Sequence, residues 1–164
     1  MADRLPATFH VDCDGARAIY RVYGWSHPWD DDPLFESGVN NALAWLEARH
    51  VAATFFVISS DLDDPRRCAL LLEVVRRGHS VASHSVTHRP LSRLAPDHKR
   101  REIFDSKRAI EAALNLPCAG FRAPAYDADP ETFNLVAEAG YTFDSSLFPD
   151  ARSAARAGVT RVLP

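Results

Sequence analysis

The chain has 164 residues, a 46% hydrophobic composition and a formal net charge of −3, which suits one soluble domain with its own core. Mild acidity gives no argument for a nucleic-acid partner, and no apolar run is long enough to span a membrane. Arg-Arg pairs at 66–67, 76–77 and 100–101 fall on helical patterns, where they read as solvated faces.

Residues 1–6 carry no signal-peptide h-region, so a cytoplasmic location is expected. Cys13, Cys68 and Cys118 are widely spaced, lack a C-x-x-C arrangement and read as free thiols.

Residues 7–11 read as a first strand running into Asp12-Cys13-Asp14-Gly15. Side chains at i and i+2 of a strand share a face, so Asp12 and Asp14 project together and Cys13 points away. Residues 16–34 read as a long connection, and loops of that length are often functional. It carries Tyr20, Tyr23, Trp25 and Trp29, aromatic rings with polar edges that suit sugar contacts or pack on their own fold. The acidic run 30–32 reads as solvated.

Ser37 is expected to cap a helix running to Arg49, with Val39, Ala42, Leu43 and Leu46 inward. Residues 52–58 form an apolar run suited to a parallel strand covered on both faces. Pro65 opens a helix that stops at Gly78, with Cys68, Leu71, Leu72 and Val75 inward. A short buried strand then leads to His84 and His88, whose spacing of four would place both rings on one side of a helical turn.

Pro96 opens a polar helix to about Asn115 with Ile103, Ile110 and Leu114 as its apolar side. Residues 119–121 read as a short strand before Arg122-Ala123-Pro124-Ala125-Tyr126. A helix from Asp129-Pro130 ends at Gly140, and residues 141–143 form another strand. The tail 150–158 is Ala/Arg-rich, and 160–164 reads as the start of a further strand.

Alternating strands and helices imply a parallel α/β sheet or barrel. There are about five βα units, whereas an eight-fold barrel takes roughly 250 residues. Asp12, Asp14, His84, His88 and Arg122 each fall at or just after the C-terminal end of an expected strand. In a parallel sheet those ends face the same way, so the five can share one pocket.

These residues carry a resemblance to the polysaccharide deacetylase family, the NodB-homology or carbohydrate esterase 4 domain. Val11-Asp12-Cys13-Asp14-Gly15 resembles its first motif as a D-x-D variant, His84-Ser85-Val86-Thr87-His88 matches H-[ST]-x-x-H, and Arg122-Ala123-Pro124 matches R-x-P. Supporting stretches are Ala53-Thr54-Phe55-Phe56-Val57, Gly78-His79 and Asp144-Ser145-Ser146. The resemblance covers about residues 8–149.

It implies a distorted (β/α) barrel of the NodB-homology type, here one domain over 1–164 that lacks its C-terminal strands. It also implies a divalent metal, zinc first, with cobalt, manganese or nickel as alternatives. Asp14, His84 and His88 would be the ligands, Asp12 the catalytic base and Arg122 the residue that orients it. Pro124, Ala125, Tyr126 and Trp25 would meet the substrate, with the backbone N–H after Pro124 holding the oxyanion.

The family's later Leu-x-x-His acid has no counterpart after residue 126. His27 is a substitute to consider, and His10, His50, His79 and His98 read as structural or surface residues. The expected activity is hydrolysis of a non-peptide carbon–nitrogen bond, deacetylating an N-acetylated sugar or polysaccharide. Alternatives are a metal-binding but catalytically impaired fragment, a deacylase of a small non-sugar amide, and a two-histidine, one-carboxylate iron oxygenase. A homo-oligomer is compatible with the sequence; nucleic-acid and membrane partners are not expected.

Overall fold

The computed structural model describes residues 7–28, 32–148 and 155. Trp29, Asp30, Asp31, the leader expectation at 1–6, the Ala/Arg-rich tail apart from Ala155, and the expected strand at 160–164 lie outside the described residues.

Five strands form one sheet: β1 (Phe9–Asp12), β2 (Ala53–Val57), β3 (Ser80–Ser83), β4 (Gly120–Phe121) and β5 (Phe143–Asp144). Every neighbouring pair is parallel, and spatial order equals sequence order. Right-handed crossovers that always step in one direction put the helices on one side, the arrangement of a barrel wall rather than of a doubly wound sheet. The wall is a half-barrel, open between β1 and β5 among the described residues.

The helices are α1 (Ala16–Val22), α2 (Pro33–Glu47), α3 (Pro65–Arg76), α4 (Pro96–Leu114) and α5 (Pro130–Glu138). Four of them begin on proline, whose fixed φ and missing N–H suit a first helical turn. Phe35, Val39, Leu43 and Leu46 of α2 are buried at helical spacing. They join Phe55 and Val57 of β2, Leu71 and Val74 of α3 and Ile103 and Ile110 of α4 in one core. None of the helices is long and apolar enough to cross a membrane.

Several sequence expectations are corrected. The connection 16–34 is not structureless: it holds the seven-residue helix α1 and the start of α2. Asp32 is not solvated but 5% exposed. Its Oδ1 accepts from the Ala16 N–H and its Oδ2 from the Arg17 N–H, both at 2.9 Å, so it caps α1 from sixteen and fifteen residues away.

Gly15 makes that approach feasible, since a Cβ there would sit 2.2 Å from Asp32 Oδ2. Ser37 is no N-cap, because α2 already starts at Pro33 and the Ser37 hydroxyl donates to the Pro33 carbonyl at 2.6 Å. Leu72 is 40% exposed, leaving Leu71 and Val74 as the buried residues of α3. The last strand falls at Phe143–Asp144, one residue beyond the expected end.

Residues 84–88 form no helical turn. Ser85 and His88 have positive φ, 67° and 57°, which breaks any helical path. The amides of Val86 and Thr87 donate to Glu102 Oε2 of α4, each at 2.8 Å. A backbone held outward by a neighbouring helix cannot close its own i→i+4 bonds.

Candidate active site

Strand register sets the level of the site. Asp12 pairs with Phe56, Val57 with Ser83, and Ser83 with Phe121. Ladder bonds run one step further: Cys13 N–H to Phe56, His84 N–H to Val57 and Arg122 N–H to Ser83, at 2.9, 2.8 and 2.9 Å. Asp12, Asp14, His84 and Arg122 therefore emerge from the same sheet edge, and the loop after β3 returns His88 to it.

The carboxylate of Asp14 faces both imidazoles. His84 Nε2 lies 3.5 Å from Oδ1, and His88 Nε2 lies 3.3 Å from Oδ2. The potential ligand atoms of the three residues fall within 4.8 Å of one another. The His84 tautomer follows from its other nitrogen: Nδ1 lies 2.8 Å from the Arg122 carbonyl, which can only accept. Nδ1 thus carries the hydrogen, and Nε2 turns its lone pair toward Asp14.

Burial lowers the His84 pKa, with the neighbouring His88 adding to the effect and Asp14 opposing it. The ring is thereby biased to its neutral form, a donor of electrons and not of protons. Burial works against ionisation of Asp14, but the neighbouring His88 and His84 imidazoles and the Arg122 guanidinium outweigh it and hold the carboxyl below its usual range.

Asp14 Oδ1 and both ring nitrogens of His88 are buried without a hydrogen-bond partner. Polar atoms left unpaired in a protein interior are costly, and a cation among them would relieve that cost. Two imidazoles and a carboxylate, with further positions open, fit a divalent ion such as zinc.

Beside this cradle, Arg122 is 6% exposed and fully engaged. Its Nη1 donates to Asp12 Oδ1 at 2.5 Å, its Nη2 to His10 Nδ1 at 2.6 Å and to the Ser145 hydroxyl at 2.7 Å, and its Nε to the Ser145 carbonyl at 3.2 Å. Its guanidinium carbon lies 4.1 Å from the centre of the Phe56 ring. The fork is immobilised from three strands, β1, β2 and the end of β5, and it fixes one oxygen of Asp12.

The structure also assigns work to residues that local pattern reading missed. His10 is more than a surface residue: as acceptor for Arg122 its Nδ1 is unprotonated, and burial followed by the Arg122 charge lowers its pKa. Glu102 carries the histidine loop, taking the Thr87 hydroxyl as well as two amides. Ser146 donates to Asp144 Oδ2 at 2.8 Å and accepts from the Ala123 N–H at 2.8 Å, bracing the Arg-x-Pro segment. Ser83 and Ser106 share a 2.6 Å hydroxyl contact that ties β3 to α4. Glu102 lies sixteen residues from the Val86 amide it accepts and His10 112 residues from Arg122, so no local signal marks their roles, whereas Ser83 adjoins His84 and Ser146 falls in the Asp144-Ser145-Ser146 stretch.

The remaining expected residues are spread around the site. Pro124 is buried, while Ala125 and Tyr126 both take positive φ of 54°. The Tyr126 and Asp127 amides turn back onto the Ala123 and Pro124 carbonyls at 3.0 Å. The Ala125 N–H makes no such bond among the described residues. Tyr126 packs on Phe148 with ring centres 4.1 Å apart.

Trp25 is 60% exposed and stacks on Tyr23 at 4.8 Å, an aromatic platform on the loop after α1. His27 sits edge-on to Tyr20 at 5.3 Å. His79 is buried and accepts from the Ala53 N–H, while His50 lies past α2 and His98 is exposed on α4, in keeping with structural or surface roles.

Known proteins resemble this chain over most of its length. The polysaccharide deacetylase family model matches residues 25–143. A chitooligosaccharide deacetylase of Bradyrhizobium sp. is 32% identical over 154 residues, covering 93% of this chain and 65% of that protein. A peptidoglycan-N-acetylglucosamine deacetylase of Bacillus cereus is 29% identical over 133 residues, covering 80% of this chain and 60% of the relative. Among solved structures, a candidate polysaccharide deacetylase from Mycobacterium smegmatis superposes with a TM-score of 0.69 at 26% identity, covering 86% of this chain and 50% of that one. The chain thus spans between half and two thirds of the length of these relatives.

Proposed function

Because the chain belongs to the polysaccharide deacetylase family, we propose that it is a metal-dependent hydrolase of non-peptide carbon–nitrogen bonds that removes the acetyl group from an N-acetylated sugar. The observation that carries the proposal is the meeting of Asp14, His84 and His88, with buried polar atoms lacking hydrogen-bond partners, beside an Asp12–Arg122 pair.

Asp14, His84 and His88 would hold the ion, which would supply Lewis-acid chemistry, polarising an amide carbonyl and acidifying water. Zinc is the ion the donor set favours. The Nδ1–H bond from His84 to the Arg122 carbonyl keeps the Nε2 lone pair aimed inward.

Asp12 acts as general base. Arg122 takes its Oδ1 and fixes its orientation, leaving Oδ2 to accept a proton from attacking water. The Ala125 N–H is placed after Pro124 as a donor to the developing oxyanion. Tyr126 and Trp25 offer aromatic surface to the sugar ring. N-acetylglucosamine units are the substrate class favoured by the relatives, which are a chitooligosaccharide deacetylase and a peptidoglycan-N-acetylglucosamine deacetylase.

The test pairs metal analysis with acetate release. Purified protein should bind one equivalent of zinc, lost in His88→Ala, and release acetate from an N-acetylated chitooligosaccharide. Well-folded wild type that takes up no divalent ion would overturn the ligand assignment. Stoichiometric metal without acetate from chitooligosaccharide, peptidoglycan fragments or small amides would overturn the hydrolase reading.

A further inference from the structure

We propose that the sugar acted on at this site carries an anionic substituent, a phosphate or a carboxylate, held by Arg21, Arg89 and Arg93. The inference rests on the reading of the site as a sugar deacetylase. It starts from a cavity of about 390 Å³ that opens directly on His88 and is lined by those three arginines, with Val22 and Leu94 among its apolar residues.

Among the described residues no carboxylate lines this cavity, and three arginines border one small volume in a chain of net charge −3. The three come from separate pieces of the fold: Arg21 from the last turn of α1, Arg89 from the residue after the second histidine, and Arg93 from the short 3-10 turn Leu91–Arg93.

Arg21 is fixed in place, because its Nη1 donates to the Thr87 carbonyl at 3.0 Å. That bond belongs to the same loop that positions His88, so the cation and the candidate metal ligand are held at a set separation. Arg89 and Arg93 make no ion pair among the described residues. Their donors are uncommitted, unlike those of Arg66, Arg67, Arg76, Arg77, Arg100 and Arg108.

Guanidinium forks match the planar or tetrahedral oxygens of carboxylate and phosphate and form charge-assisted bonds to them. Apolar residues beside them suit the carbon face of a sugar ring. Arg21 also feels the Asp61 carboxylate, but a neutral sugar would leave Arg89 and Arg93 without counterpart among the described residues, so the lining favours a negative group next to the acetamido group presented to the metal cradle.

The experiment is calorimetric binding of N-acetylglucosamine, N-acetylglucosamine 6-phosphate and N-acetylmuramic acid to zinc-loaded wild type and to R89A/R93A. Both substitutions lie on exposed side chains, and thermal melts check that the fold is kept. At least one anionic sugar should bind about tenfold more tightly than the neutral one, and added salt should erode that advantage. The phosphate and carboxylate arms tell which anion is meant. R89A/R93A should lose the preference, and R89K/R93K should retain part of it.

Equal affinity for all three sugars, no binding of any, or a preference that persists in R89A/R93A would overturn the inference. Acetate release from neutral chitooligosaccharide is followed in parallel. If it occurs without any anion preference, the substrate-class inference fails while the deacetylase reading stands. An arginine-dependent preference without acetate release keeps the anion site and removes the deacetylase.

Discussion

Arg122 serves His84 and Asp12 through different atoms. Its carbonyl takes the Nδ1–H of His84 at 2.8 Å, and its Nη1 donates to Asp12 at 2.5 Å. One residue of β4's C-terminal end thereby sets the geometry of a candidate metal ligand and of a candidate base.

The two functions separate on substitution. Arg122→Lys keeps the backbone carbonyl and the charge but loses the fork that reaches Asp12, His10 and Ser145 together. Zinc affinity should change little, while kcat for acetate release falls by about 10²-fold as Asp12 loses its fixed orientation. Metal titration beside steady-state kinetics checks this. Loss of both in a folded protein would show that the side chain also supports the cradle.

Glu102 tests whether the histidine loop needs its outside support. Glu102→Ala frees the Val86 and Thr87 amides and the Thr87 hydroxyl. Zinc binding should weaken by about 10–100-fold, as for other residues that orient ligands. Competition with a chromophoric chelator measures it.

Gly15 and Asp32 form a closed pair. Gly15→Ala drives a methyl group into the Asp32 carboxylate and should destabilise the fold by about 1–3 kcal/mol. Asp32→Ala removes the cap of α1 and should cost about 1–2 kcal/mol. In the double variant the clash disappears, so the Gly15→Ala penalty should vanish and the two effects should be strongly non-additive. Denaturant melts of the four proteins complete the cycle.

Asp61 gives stability a pH dependence of definite sign. Burial raises its carboxyl to about 6, with Arg67 opposing and Asp32 reinforcing the shift. The native state holds this proton more tightly than the unfolded chain, so the contribution is favourable at low pH and is lost as pH rises through about 6. Between pH 5 and 7 the loss should be roughly 1 kcal/mol. Wild type minus Asp61→Asn, measured by melts at both pH values, isolates it from the histidines.

What could be read from sequence was what repeats or alternates. The buried strand at Ala53–Val57 and the helices after Pro65, Pro96 and Pro130 follow from periodicity and proline placement. The convergence of Asp12, Asp14, His84 and Arg122 follows from parallel strands ending alike. What could not be read depends on partners distant in the chain. Helix α1 is too short to be stable alone, and its cap, Asp32, arrives from another element. The expected turn at His84–His88 failed because Glu102, fourteen residues beyond His88, claims the amides a helix would have used. His10 looked incidental because its partner Arg122 stands 112 residues away.

The alternation of β1 also bears on redox behaviour. Cys13 lies between the two aspartates in sequence yet is 5% exposed and packed in the core. Burial pushes its thiol well up, and the nearby carboxylates Asp14, Asp12 and Asp61 push it further. Thiolate is the form that attacks electrophiles, oxidants and soft metals. A sulfur one residue from a candidate zinc ligand is therefore kept chemically silent, and oxidants or alkylating reagents should leave this strand unmodified while the protein stays folded.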